Sequence, residues 1–113
     1  MPKSSVEYLR HIQDECFFIV SVIHEDFTKE NFISDEVLKR AMVRSLEIIG
    51  EATKKISIDD KIKWSSISWK NMAGMRDRLI HDYMGVNYSI VWDVVKNKIP
   101  ELYIQITEVI SKA

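Results

Sequence analysis

Apolar residues recur at intervals of three and four along nearly the whole chain, and little interrupts them. Only 3 Gly and 2 Pro punctuate 113 residues. Such spacing lines one face of an α-helix, whereas a strand alternates with a period of two. So few turn-forming residues argue against a sandwich or barrel, which needs a turn after each short strand. The chain is therefore predicted to be all-α, one domain spanning residues 1–113. It is long enough to bury a core without disulfides or metal.

Four helical blocks are predicted. The first covers about residues 5–25, with Ser4 and Glu7 spaced as a capping box and Val6, Leu9, Cys16, Phe17, Val20 and Ile23 as its stripe. A polar-aromatic connection, residues 26–33, follows. Ser34 or Asp35 then caps a second helix reaching about residue 56. Its inner stripe is Val37, Ala41, Ile48, Ala52 and Ile56, widened by Leu38, Met42 and Ile49. Residues 59–63 read as a charged linker with turn character. The third helix starts near Ser66 or Ser68 and runs to about His81, with Trp64, Ile67, Trp69, Met72, Met75 and Leu79 as apolar surface. Gly85 is expected as a C-cap residue with positive φ, and Asn87 as the N-cap of the fourth helix. Pro100 lies inside that helix, which predicts a kink or break near Lys98. No strand alternation is evident. The economical architecture is an antiparallel up-down four-helix bundle with a kinked C-terminal helix.

The densest chemistry lies at the end of the third block, in Arg76-Asp77-Arg78-Leu79-Ile80-His81-Asp82-Tyr83. Arginine, histidine and tyrosine are spaced there as R-x4-H-x-Y. An imidazole moves a proton near pH 7, and a guanidinium can hold the charge of a developing phosphorane. On an ideal helix Arg76 and His81 stand about 140° apart in azimuth, so they would not stack. They could meet if the helix frays near His81, or if a second subunit supplies the other half. Asp77 could orient the imidazole, or pair with Arg78 or Lys70. Arg44, Glu47 and Glu51 are spaced at i,i+3 and i,i+4. They form either a surface ladder or a partly buried network, and Gly50 beside them would permit close helix approach.

Other chemistries find little support. Net charge is −1, so any basic footprint must be local or built by assembly. Lys54, Lys55, Lys61, Lys63 and Lys70 are a solvated face or a set of phosphate contacts. Trp64, Trp69 and Trp92 read as core or interface anchors rather than base-stacking platforms. The single cysteine, Cys16, precludes an intramolecular disulfide and reads as a buried thiol. His11 and His24 lack the i,i+4 spacing of a helical metal pair, and no His/Asp/Glu cluster has ligand spacing, so neither metal nor cofactor is expected. There is no Walker loop or G-x-G-x-x-G. Nothing approaches the ~20 apolar residues of a membrane span, and no leader pattern opens the chain. No membrane partner and a cytoplasmic location are expected.

The segment Gly74 to Tyr83, the downstream Val91-Trp92-Asp93-Val94-Val95 and Ile99-Pro100-Glu101-Leu102, and the upstream residues 46–52 occur in an order that resembles the HepT-like branch of the HEPN superfamily. The resemblance covers nearly the whole chain. It implies an up-down helical bundle forming a homodimer. It implies a metal-independent endoribonuclease, the toxin of a toxin–antitoxin pair, acting on tRNA or mRNA. The implied partner is an MntA-like minimal nucleotidyltransferase that silences the toxin by transferring AMP. By position Arg76 and His81 would be the catalytic pair and Tyr83 the modified residue, with Asp77, Arg78, Arg44 and Glu47 in support. Two other readings fit the same residues: a non-catalytic nucleotide- or RNA-binding subunit of a nucleotidyltransferase complex, and a structural helical dimer braced by the motif.

Overall fold

The computed structural model describes residues 4–82 and 85–113, with the side chains of residues 76 and 80–82 outside that description. The chain is mostly helical, with one short antiparallel ribbon.

Helix α1 (Ser5–Val22) starts as expected: the Ser4 hydroxyl accepts from the Glu7 N–H at 3.3 Å. It buries Leu9, Ile12, Cys16, Ile19 and, just past its end, Ile23. Phe17, assigned to the inner stripe, is 57% exposed. The buried set repeats as 9, 12, 16, 19, 23, a tighter fit to the helical period than the stripe containing Phe17. Helix α2 (Lys29–Ser34) occupies the supposed connection, capped by Thr28 and anchored by fully buried Phe32. One buried residue is too little to print a period.

Helix α3 (Glu36–Lys54) is capped by Asp35, whose carboxylate accepts from the Leu38 N–H at 2.9 Å. Its buried face carries Met42, Val43, Leu46, Ile49 and Ala52. Val37, expected inward, is 81% exposed: it stands about 140° around the helix from Met42, away from the face that packs, whereas its neighbour Leu38 rests against the core. Buried Thr53 donates its hydroxyl to the Ile49 carbonyl at 2.8 Å, so its polar atom is satisfied within the helix. Residues read as a charged linker form helix α4 (Ile58–Lys63), capped by the Ser57 hydroxyl accepting from the Asp60 N–H.

The third block is interrupted. Helix α5 (Trp69–Ala73) ends at Gly74 (φ −84°, ψ 0°), and helix α6 (Met75–Leu79) follows. Trp69 is core, as expected. Its indole N–H donates to the carbonyls of Lys61 (3.1 Å) and Trp64 (3.0 Å), tying the end of α4 to the start of α5. Strands β1 (Ile80–Asp82) and β2 (Gly85–Val86) then pair antiparallel, Ile80 opposite Val86 and Asp82 opposite Gly85. This overturns two expectations. There is a strand pair, too short to show alternation. Gly85 lies in a strand, and no described residue has positive φ.

Asn87 caps helix α7 (Tyr88–Asp93), its side chain accepting from the Ile90 N–H at 3.2 Å. A π-helical segment (Val94–Lys98) leads into helix α8 (Ile99–Lys112). Pro100 brings no amide hydrogen to the first turn of α8. The disturbance expected near Lys98 is absorbed as a π turn, in which the Ile99 N–H reaches back five residues to the Val94 carbonyl.

Helix α1 packs against both α3 and α8, and α3 also carries α5 and α6. Leu9, Ile12, Ile19, Met42, Leu46, Ile49, Ile99 and Ile106 are fully buried where these helices meet. Burying each such side chain contributes about 1.5–3 kcal/mol. Local pairs such as Glu51–Lys54 (3.6 Å) lie on exposed faces, where each is worth about 0.3–0.5 kcal/mol. Apolar burial therefore dominates stability.

Candidate active site at the end of helix α6

Three features set the position of the R-x4-H-x-Y segment. Gly50 on α3 lies under α5: a Cβ there would stand 3.4 Å from the Met72 carbonyl oxygen and 4.0 Å from that of Ala73. The close approach anticipated at Gly50 is thus between α3 and the α5 backbone. Met75 and Leu79, at i,i+4, are buried at 7% and 2% exposure and fix α6 on the core. Beyond Leu79 the chain leaves the helix, and its carbonyl accepts from the Asn87 N–H at 3.1 Å. That bond and the ribbon hold β1 beside the start of α7.

Arg76 therefore sits on α6 and His81 on β1. The ideal-helix azimuth between them does not apply, because helix ends at Leu79 rather than near His81. The side chains of Arg76 and His81 lie outside the described residues, as does Tyr83 altogether. Asp77 and Arg78 are both exposed. Arg78 lines a cavity of about 260 Å³ between α5–α6 on one side and the π segment with α8 on the other. Met72, Met75, Leu79, Ile99 and Leu102 give this cavity an apolar floor, and Asn71, Asp93, Lys98, Glu101 and Gln105 give it a polar lining. Nothing in the sequence marks Asn71 or Gln105 as lining residues, and Lys98 stands out there only as the place of the expected helix break. Only Pro100 signalled that the helix facing the motif was irregular.

The other candidates resolve more simply. Arg44 meets Glu47 at 3.9 Å, with 71% and 29% of the two side chains exposed. In this chain they form the surface ladder. Lys61 and Lys70 border an open pocket of about 510 Å³ with Ile58, Ile62 and Trp69, while Lys54 is paired with Glu51. Half-buried Trp92 stacks near Phe32 and Phe27, with ring centroids 5.5 and 6.3 Å away. Cys16 is buried, and burial followed by the nearby Glu15 carboxylate pushes its thiol up to about 12. It stays protonated at neutral pH and is no nucleophile. His11 and His24 are exposed, their rings edge-on to Tyr8 and Phe27. Among the described residues no group of three or more His, Cys, Asp or Glu could hold a metal ion, and no helix is long and apolar enough to cross a membrane.

Residues 6–109 match the family described as Ribonuclease HepT-like. The chain belongs to the HepT-like ribonuclease family. It is 47% identical over 110 residues to "Putative RNase TTE0752" of Caldanaerobacter subterraneus subsp. tengcongensis, covering 97% of each chain. It is 41% identical over 112 residues to "Putative RNase MJ0127" of Methanocaldococcus jannaschii, covering 98% of this chain and 92% of that one. It is 42% identical over 106 residues to "Probable ribonuclease HepT" of Thermococcus cleftensis, covering 90% and 92%. No solved structure matches. HepT-like membership agrees with the resemblance read from residues 74–83 and their flanking segments.

Proposed function

We propose that this protein is a metal-independent endoribonuclease whose catalytic pair is Arg76 and His81. The observation that carries this reading is the family match, which spans residues 6–109 and so takes in the whole motif. The backbone is compatible with it. Arg76 is on a helix anchored by two buried side chains, and His81 is on a strand tied to a second helix. Catalytic groups need such rigid support.

In the proposed reaction a ribose 2′-oxygen attacks the adjacent phosphorus, and the P–O5′ bond breaks. The products are a 2′,3′-cyclic phosphate and a 5′-hydroxyl end. His81 takes the 2′ proton or delivers one to the leaving 5′-oxygen, and Arg76 stabilises the charge on the phosphorane. One histidine cannot do both tasks at once, so a homodimer, presenting two, suits the chemistry. Phe17 and Ile104, at 57% and 68% exposure, leave apolar surface on α1 and α8 for a second copy. Pairing of two four-helix bundles belongs to the same proposal.

The proposed role is that of a toxin held in check by an MntA-like nucleotidyltransferase. Transfer of AMP to Tyr83 joins the phenol oxygen to the α-phosphorus of ATP and releases pyrophosphate. The added negative charge and bulk beside Arg76 and His81 would exclude RNA phosphate. Purified protein, shown free of AMP by mass spectrometry, is expected to cleave total RNA or tRNA in EDTA. Failure of that unmodified protein to cleave either substrate would overturn the proposal.

A further inference from the structure

The cavity beside α6 has no part in the chemistry just described, yet it shares α6 with Arg76. Its lining also includes Leu79, the residue that directly precedes the strand holding His81. A group bound there would lie against the helix that carries Arg76 and against the residue from which β1 departs.

Its contents can be argued from its walls. At about 260 Å³ it falls below the roughly 300 Å³ at which whole-ligand pockets begin, so it suits one ring system rather than a run of nucleotides. Met72, Met75, Leu79 and Ile99 are each at most 7% exposed and supply an apolar floor. Methionine sulfur packs favourably against the edge or face of a flat aromatic ring. The charged lining is balanced, Arg78 and Lys98 against Asp93 and Glu101, which disfavours a bare phosphate and suits a neutral heterocycle. The side-chain amides of Asn71 and Gln105 each offer both a donor and an acceptor, as reading a base edge requires. The carboxylates can accept from an amino group. One wall, Val94 to Lys98, is π-helical, an irregularity that recurs at functional sites.

We propose that this cavity is a base-recognition subsite that takes one unstacked nucleobase of the RNA substrate, a base carrying an exocyclic amino group. The proposal rests on the ribonuclease reading above for its substrate. The base enters the apolar floor, its edge meets Asn71 and Gln105, and its ribose and phosphate stay outside, near α6 and β1. The cut is then made with a preference for the base held here.

The test uses the methyl NMR signals of ¹³C-methionine in the full chain. Met72 and Met75 report on the cavity, and Met42, fully buried and absent from its lining, serves as the internal control. AMP, CMP, GMP, UMP and ribose 5-phosphate are titrated separately. At least one of AMP, CMP and GMP is expected to move the Met72 and Met75 signals and leave that of Met42 in place. UMP and ribose 5-phosphate should bind at least about tenfold more weakly. Asn71→Ala and Gln105→Ala should each weaken the preferred nucleotide about tenfold while the Met42 signal stays at its wild-type position. Absence of these shifts, equal response to all four nucleotides, or equal response to ribose 5-phosphate would overturn the proposal. RNA cleavage is assayed in parallel. Cleavage without the shifts refutes the cavity assignment alone. The shifts without cleavage support the base site and refute the ribonuclease reading.

Discussion

The backbone N–H of Asn87 donates to the carbonyl of Leu79 at 3.1 Å and closes the ribbon that carries His81. The same residue caps α7 through its side chain, which accepts from the Ile90 N–H. One asparagine thus fixes both the end of the motif strand and the start of the next helix. Asn87→Ala keeps the backbone bond but loses the cap, and should cost about 1 kcal/mol of stability. Asn87→Ser, which can still cap, should stay near wild type. Denaturant melts of the two variants check this, and equal losses would remove the cap from the explanation.

Gly50 supports the site from below. A methyl group there lies at ordinary contact distance, 3.4 Å, from the Met72 carbonyl oxygen. Gly50→Ala should therefore be neutral or stabilising by up to about 1 kcal/mol, through helix propensity. Gly50→Leu has no such room and should destabilise by about 1–3 kcal/mol. Thermal melts of both variants decide the matter. Equal destabilisation would mean that the α3–α5 approach tolerates no side chain at all.

Lys96 clamps the turn after α1. Its ammonium donates to the carbonyls of His24 (3.1 Å) and Glu25 (2.9 Å) and lies 5.8 Å from the centre of the Trp92 ring. Lys96→Met keeps the aliphatic stem and removes these bonds, for an expected loss of about 1–2 kcal/mol. Unchanged stability would show that water replaces the ammonium without cost.

Cys16 predicts a pH effect with a definite sign. Its thiol is raised from 9.0 to about 12 by burial, then by Glu15. Folding therefore favours the protonated thiol. That contribution is complete below the unfolded pKa near 9 and is lost as pH rises through about 12. Across this window the melting temperature of wild type should fall more steeply than that of Cys16→Ala. At pH 8 the folded protein should react slowly with a thiol reagent, and the denatured protein quickly. Fast labelling of the folded chain would contradict the burial.

Much of the fold is legible where helices are long and capped. Ser4 and Asn87 announce their helices because a short polar side chain before an apolar run satisfies free N–H groups. On α3 the expected stripe includes Met42, Ile49 and Ala52, which are buried, but it also takes in exposed Val37 and half-buried Ile48 and leaves out Val43 and Leu46. Apolar residues occur on both sides of this helix, so period alone leaves its inward direction open by tens of degrees. Helices α2 and α4, six residues each, are shorter than two turns and leave no pattern. The ribbon was missed for the same reason, and it determines where His81 sits. The R-x4-H-x-Y segment is local in sequence and so is legible there, while its catalytic role belongs to the proposal. The cavity beside it joins residues 68–79 to 93–105, a meeting that only the packed chain discloses.

Exchange of Arg76 for lysine keeps the charge and loses the planar fork of donors. If Arg76 stabilises the phosphorane, Arg76→Lys should fold normally yet cleave about 10²–10³-fold more slowly. Full activity would remove Arg76 from the catalytic pair.

The most direct measurement is cleavage of tRNA and total RNA in EDTA by AMP-free wild type and by His81→Ala, with end-group analysis of the products. The account predicts cleavage by wild type, 2′,3′-cyclic phosphate ends, and a rate about 10²–10⁴-fold lower for His81→Ala at unchanged thermal stability. Wild-type cleavage rates in the variant, or none in the wild type, would contradict it.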